Sequence, residues 1–290
     1  MALILGIHVS QKSHVLDDKN PLPLHESIPR DLREFGLNAC QIFTYGPRIL
    51  SKNKYDIELV KKATEHINLT VHSAYPTTGI WKGQTKAKLT LFRNQLQSCR
   101  DIGAWGMVLH INKIKPDTIA AAMQQLLPIA RDVGVCILLE MIASKADPML
   151  TYETPEKLDR MCDTINAVTD ASLHKWYGIT IDTAHLWGAG FDDSKYIVMK
   201  NFFLNMKHAH KIMQIHLNGS SSDIHSGKDK HEIPFCPEDK IWSKIDKDEA
   251  GIRAVVEFAF KNKICMICEI NRGEQKEVER SLNIIKGYVG

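Results

Sequence analysis

No stretch of this chain is apolar for long enough to cross a bilayer as a helix, which takes about 20 residues. The opening residues, Met1-Ala2-Leu3-Ile4-Leu5, lack the basic start and small-residue cleavage site of a secretory signal, so an intracellular protein is expected. Charge of one sign is also scarce. The 37 Lys and Arg residues stand against 34 Asp and Glu, a formal net charge of +3, too mild by itself to mark a nucleic-acid binder. No Gly-rich phosphate loop, Ser-His-Asp arrangement or nucleophilic cysteine motif is present, which leaves out P-loop and covalent hydrolase chemistry. No low-complexity tract or linker divides the chain, and one domain spanning 1–290 is expected. Among the seven cysteines, Cys265 and Cys268 form a C-x-x-C, and the absence of a second such pair excludes a four-cysteine zinc site. That pair lies in the apolar run 264–270, so both thiols are read as reduced, buried strand residues.

What is there is a regular alternation. Eight short apolar runs, 3–9, 39–45, 68–73, 106–111, 135–141, 177–183, 212–218 and 264–271, are each followed by a longer stretch. Helical patterning occupies 56–66, 85–102, 195–208, 249–262 and 275–286. Two further helices open on Lys115-Pro116-Asp117 and Thr154-Pro155-Glu156, with Pro in the first turn; Gly134 ends the former, and the latter stops before Thr169. Eight strands alternating with helices in 290 residues predict a single (β/α)8 TIM barrel of the α/β class, its strands buried on both faces. The longest connection, 219–247, is polar and weakly periodic; loops of that length in a compact domain usually carry function.

The run ends carry the chemistry. The third run delivers His72, the fourth His110, the fifth Glu140, the sixth Asp182 with His185 beyond it, the seventh His216 and the eighth Glu269. All six therefore reach the barrel end where TIM-barrel active sites form. A lone strand-end histidine is more simply a satisfied core residue. His, Asp and Glu make up about a sixth of the chain; with independent run ends and a slip of one position, six successive hits arise by chance about once in a thousand. Buried charges of this kind are costly unless paired or bound to metal. Asp229-Lys230-His231, in the long connection, places two more ligand types on one side of an extended segment. On its own this tripeptide is better read as solvated loop, but with the strand-end set it completes a third group. Five imidazoles and four carboxylates result, a mixed nitrogen and oxygen set that suits Zn2+, with Mn2+ or Fe2+ as substitutes. Divalent ions held there would concentrate positive charge at one mouth, where an anionic substrate would feel it.

The sequence resembles the endonuclease IV family of apurinic/apyrimidinic (AP) endonucleases, within the xylose-isomerase-like TIM barrels, over essentially its whole length. The likeness is carried by Gly6-Ile7-His8-Val9-Ser10, Gln41-Ile42-Phe43-Thr44, Asp182-Thr183-Ala184-His185 with Gly188-Ala189-Gly190-Phe191-Asp192, His216-Leu217-Asn218, Asp229-Lys230-His231 and Cys268-Glu269. It implies three Zn2+ ions: one on His72, His110 and Glu140; a second on Glu140, Asp182, His216 and Glu269; a third on His185, Asp229 and His231. It further implies hydrolysis of double-stranded DNA 5′ to an abasic site, leaving a 3′-hydroxyl and a 5′-deoxyribose phosphate, together with 3′-end trimming. Glu140 and Glu269 are the implied catalytic residues, and Arg48 and Tyr75 the implied DNA contacts. The chain departs from the family at Pro76 after Tyr75, at Ile111-Asn112-Lys113 after His110, at Lys230, where Arg is usual, and at 232–238. Its compact length and its many Lys, Ile and Asn residues look like members from large DNA viruses, for which cytoplasm, nucleus or virion are the expected locations. A monomer is the default.

Two other readings compete. A sugar isomerase or epimerase on the same barrel would need one or two ions, and His185 with the Asp229/His231 pair argues for a third. A silent DNA-binding module would not be expected to keep every ligand position.

Overall fold

A computed structural model of the chain describes residues 2–10, 22–111, 113–269 and 275–289. Each of the eight apolar runs forms a short strand: β1 (Leu5–His8), β2 (Ala39–Phe43), β3 (Asn68–His72), β4 (Gly106–Ile111), β5 (Cys136–Met141), β6 (Tyr177–Asp182), β7 (Ile212–His216) and, after two short strands introduced below, β10 (Cys265–Cys268). All pair in parallel, and β10 closes onto β1 through Leu5↔Met266, Gly6↔Ile267 and Ile7↔Cys268. The result is a TIM barrel. The strands are shorter than the apolar runs that announced them, and Ile270 and Asn271 of the eighth run lie outside the described residues, as does Asn112.

Helices wrap the barrel: α1 (Leu24–Phe35), α2 (Ile57–Ala63), α3 (Lys86–Asp101), α4 (Pro116–Val133), α5 (Pro155–Val168), α6 (Thr183–Ala189), α7 (Tyr196–Asn205), α8 (Gly251–Asn262) and α9 (Gln275–Gly287). α4 shows why they begin and end where they do. Pro116 fills its first position, where no backbone donor is needed, and Gly134 takes the left-handed conformation (φ 80°) that closes it, its N–H reaching Ala130 O at 2.7 Å. α1, for which the sequence reading placed no helix, contains Pro29 in its interior; its amphipathic face buries Leu24, Ile28, Leu32 and Phe35. No helix among the described residues is long and apolar enough to cross a membrane.

Strand side chains alternate between two environments. Outward residues such as Val71, Leu139, Ile181 and Ile215 join the large core between strands and helices. Ala39, Cys265 and Ile267 form a separate apolar cluster on the inward rows that lead, two residues later each, to Gln41 and Glu269. The spacing of three in Cys265-Met266-Ile267-Cys268 puts the two thiols on opposite faces, so they cannot share a metal ion. Burial pushes the Cys268 thiol up to about 12, which leaves it inert near neutral pH.

One irregularity sets the inward row of β7. The register with β6 slips between Ile179↔Ile212 and Thr180↔Gln214, a bulge at Met213. A side chain at Gly178 would lie 2.4 Å from Met213 Sδ and 3.0 Å from Lys211 O, so the bulged strand packs closely over this glycine. Beyond the bulge, Gln214 and His216 stand opposite Thr180 and Asp182, all four fully buried.

The long connection after β7 is more ordered than its polarity suggested. It contains β8 (Gly219–Ser220) paired antiparallel with β9 (His231–Glu232). It is also pinned by the buried Asp239 carboxylate, which accepts hydrogen bonds from the backbone N–H groups of Ser220, Phe235, Ile241 and Trp242 at 2.9 to 3.3 Å.

Candidate metal centre

Six strand ends converge on one mouth. His72 ends β3, His110 and Glu140 lie one residue inside the ends of β4 and β5, Asp182 ends β6, His216 ends β7, and Glu269 follows β10. Ligand atoms of His72, His110 and Glu140 lie within 4.8 Å of one another; so do those of Glu140, Asp182, His216 and Glu269, and those of Asp182, His185 and His231. Glu140 and Asp182 each belong to two groups. Asp229 stands at the outer edge of the third, its Oδ1 3.3 Å from His185 Nε2 and 2.9 Å from His231 Nε2, on a side chain that is 54% exposed.

The motif spacings have a structural reason. Asp182 is the N-cap of α6: its Oδ1 accepts the His185 N–H at 3.0 Å, which seats His185 over the mouth and leaves Oδ2 facing His216 and His231 at 3.6 and 3.5 Å. Thr183 Oγ1 donates to Asn218 O at 2.6 Å and accepts from Asn218 N at 2.9 Å. Asn218 in turn donates through Nδ2 to Asp182 Oδ2 (2.9 Å) and Glu269 Oε2 (3.3 Å), while its Oδ1 accepts the Glu269 N–H (2.8 Å). Asn218 thus holds two acids in place. Reading strand ends for charge alone missed it, together with Thr183, Gln41 and His8; the signal available was their inward position beside the ligands.

Whether these residues fit metal ions can be read from their hydrogen bonds. A carbonyl can only accept, so His72 Nδ1 must donate to Ser73 O (2.8 Å) and His185 Nδ1 to Met141 O (2.8 Å). Their Nε2 lone pairs, in the neutral rings, then face other electron-rich atoms: His110 Nε2 at 3.1 Å and Glu140 Oε2 at 3.4 Å in one case, Asp229 Oδ1 at 3.3 Å in the other. Glu140 Oε2 and His185 Nε2 are buried with no hydrogen-bond partner. Lone pairs converging in this way repel unless a cation sits among them, and backbone carbonyls behind ligating histidines are a recurrent feature of metal sites. The set fits divalent cations that accept imidazole and carboxylate together.

Ionisation points the same way. Burial works to raise the Glu140 carboxyl, but His216 and His110 outweigh it and hold it well below the usual carboxylate range. Glu269, against the same pull of burial, is held low by His216, His8 and His231, and Asp229, likewise against burial, by His185 and His231. Burial lowers His110 and so favours the neutral, ligating ring. In His231 burial is overcome by Asp182, Asp229 and Glu269, which raise it to about 9; His185 and His216 rise well above their ordinary value in the same manner. Without metal, protons are the cations that balance the acids.

Tyr75 and Arg48 lie at the rim. Tyr75 opens the 3₁₀ segment Tyr75–Lys82, is 43% exposed, and stacks on His110 at 5.5 Å. Its N–H bonds Pro47 O at 2.8 Å, which ties its segment to the exposed turn that carries Arg48. Trp81 Nε1 donates to His110 O at 2.8 Å, so the Tyr75 segment is also fastened to a ligand-bearing strand.

The chain is a closed parallel barrel with imidazoles and acids clustered at its C-terminal mouth, and the model of the xylose isomerase-like TIM barrel family matches residues 29–286. The chain belongs to that family. Among curated proteins it is similar to the probable AP endonuclease of African swine fever virus (isolate Tick/Malawi/Lil 20-1/1983), 26% identical over 271 residues that cover 88% of each chain. It is also similar to the probable endonuclease 4 of Thermosipho melanesiensis, 25% identical over 89% of this chain and 94% of the relative. The fold matches the crystal structure of AsfvAP:AG with a TM-score of 0.85, 24% identity and 99% coverage of both chains. A D-tagatose 3-epimerase-like protein shares it with a TM-score of 0.65, at 17% identity over 99% and 97% of the two chains.

Proposed function

We propose that this protein is a metal-dependent AP endonuclease of the endonuclease IV type, which hydrolyses the phosphodiester 5′ to an abasic site in duplex DNA. The observation that carries the reading is the set of three ligand groups sharing Glu140 and Asp182. A sugar epimerase on this barrel needs fewer ions, and the third group, around His185, His231 and Asp229, has no use in it. The names of the relatives support the same choice.

In this reading His72, His110 and Glu140 hold one Zn2+, Glu140, Asp182, His216 and Glu269 a second, and His185, Asp229 and His231 a third with Asp182 at their side; Mn2+ or Fe2+ would be accepted by the same donors. Divalent ions so bound supply a water acidified toward neutral pH and offset the charge of the phosphodiester and of the leaving oxygen. Glu140, fully buried, cannot reach a polymer, so its task is to hold charge together at the base of the site. Glu269 is 14% exposed and, with Oε1 tethered by Gln41 at 2.8 Å, is the acid placed to orient an attacking water. Tyr75 and Arg48 contact the duplex at the lesion. A sugar without its base is the cheapest to turn out of the helix, which gives selectivity without base readout. Trimming of blocked 3′ ends is expected of the same centre, since it breaks the same bond.

The test is incision of a synthetic abasic duplex. Cleavage should appear 5′ to the lesion, leave a 3′-hydroxyl, vanish with a strong chelator and return with Zn2+. A metal-replete protein that leaves this duplex intact while interconverting ketoses would reverse the assignment.

A further inference from the structure

We infer that Gln41, which contacts no ion position itself, is the positioning residue that sets two of the four ligands of the second group; the inference rests on the metal reading of the mouth. Gln41 lies on β2 and is fully buried, yet its amide reaches across the barrel to β7 and β10. Nε2 donates to Glu269 Oε1 at 2.8 Å and lies 3.2 Å from His8 Nδ1. Oε1 lies 2.9 Å from His216 Nε2 and 2.8 Å from Gln214 Nε2.

The direction of the amide is forced. Turned over, its oxygen would face the Glu269 carboxylate oxygen that Nε2 now reaches at 2.8 Å, a repulsive contact. Gln41 Oε1 is the nearer of the two groups at His216 Nε2, 2.9 Å against 3.1 Å for Gln214 Nε2; with Nε2 donating to that oxygen, the lone pair of the neutral ring falls on Nδ1. Nδ1 then points at Glu140 Oε1 (2.9 Å), Glu269 Oε2 (3.4 Å) and Asp182 Oδ2 (3.6 Å). One amide therefore fixes both the tautomer of His216 and the rotation of Glu269.

The layer beneath the ligands is consistent with this role. Gln214 Nε2 lies against Gln41 Oε1 at 2.8 Å and His216 Nε2 at 3.1 Å, while its own Oε1 is buried without a hydrogen-bond partner, as are Thr70 Oγ1 and Thr180 Oγ1 on neighbouring strands. Unpaired buried polar atoms are unfavourable for folding, so stability alone does not account for a glutamine at 214.

The experiment is competition for Zn2+ between a chromophoric chelator and the wild type, Gln41→Leu and Thr70→Val, with Co2+ visible spectra of each. Gln41→Leu should weaken one Zn2+ position about 10- to 100-fold, shift the Co2+ bands, and leave the other two positions near wild type. Thr70→Val, in the same buried layer, should bind as wild type does. Equal losses in Gln41→Leu and Thr70→Val would point to general packing and overturn the inference, as would wild-type affinities and spectrum in Gln41→Leu. Should Gln41→Leu not fold, as judged by circular dichroism, Gln214→Met takes its place: a several-fold loss at one position supports the assignment and no loss overturns it. A wild type that binds no Zn2+ would instead remove the metal reading beneath it.

Discussion

Two sets of buried acids lie close together in this barrel and behave in opposite ways. Asp193 and Asp239, in the segments behind the mouth, are driven toward their neutral forms: burial raises Asp193 well above the usual range and Asp239 to about 6. Asp239 is pulled back by four backbone N–H groups, but both carboxylate oxygens of Asp193 are buried without a hydrogen-bond partner. Glu140 is just as buried, yet its imidazole neighbours hold it ionised. Burial by itself produces acids that give up their charge; only a surrounding ring of bases produces acids that keep it. The mouth therefore keeps the negative charge that a cation site requires, and the acids behind it do not.

The strongest way to break this contrast is Glu140→Gln, which keeps shape and removes the shared charge. Incision of abasic DNA should fall by at least about 1,000-fold, with the circular dichroism of the fold retained; activity within tenfold of wild type would deny Glu140 its shared role. A smaller effect is expected at the lip. Asp229 is half exposed and loop-borne, so Asp229→Asn should cost roughly 10- to 100-fold in affinity for one ion, measured by chelator competition, and leave the other two in place.

The metal-free protein should show the contrast in its pH dependence. His231 is raised from 6.5 to about 9, so its contribution to stability is complete below pH 6.5 and disappears as pH rises through about 9. Glu269 and Asp229 are lowered, so theirs is present above the ordinary carboxylate range and disappears as pH falls below it. Thermal unfolding of the metal-free protein should accordingly lose midpoint between pH 6.5 and 9. Zn2+ should displace the imidazole protons and abolish that alkaline loss; identical profiles with and without metal would contradict the scheme. The smallest expected effect is a gain. Asp193→Asn removes a charge that the fold resists as pH rises above 3.8, and should stabilise the protein at pH 7 by about 1–3 kcal/mol, read as a higher denaturation midpoint.

The strand ends were legible because a period of two and a common barrel end leave little freedom: once His72, His110, Glu140, Asp182, His216 and Glu269 are seen to close six successive apolar runs, their convergence follows. Asp182 and His185 were legible as a pair, but their link through the N-cap of α6 was not, since a helix of 7 residues leaves no periodic trace. α1 was hidden by Pro29. The order of the long connection was hidden because Ile233, Phe235, Ile241 and Trp242, all buried, follow no helical or strand period and are organised by one carboxylate, Asp239. Gln41 and Asn218 were visible as letters but not as parts of the site, because an amide declares its role only through the partners that surround it.

The central claim is that imidazoles and acids from separate strands gather around divalent cations. Metal analysis of the purified protein by inductively coupled plasma mass spectrometry tests it most directly. Three ions per chain, chiefly Zn2+, are expected; fewer than two in protein exchanged into metal-replete, chelator-free buffer would contradict the account.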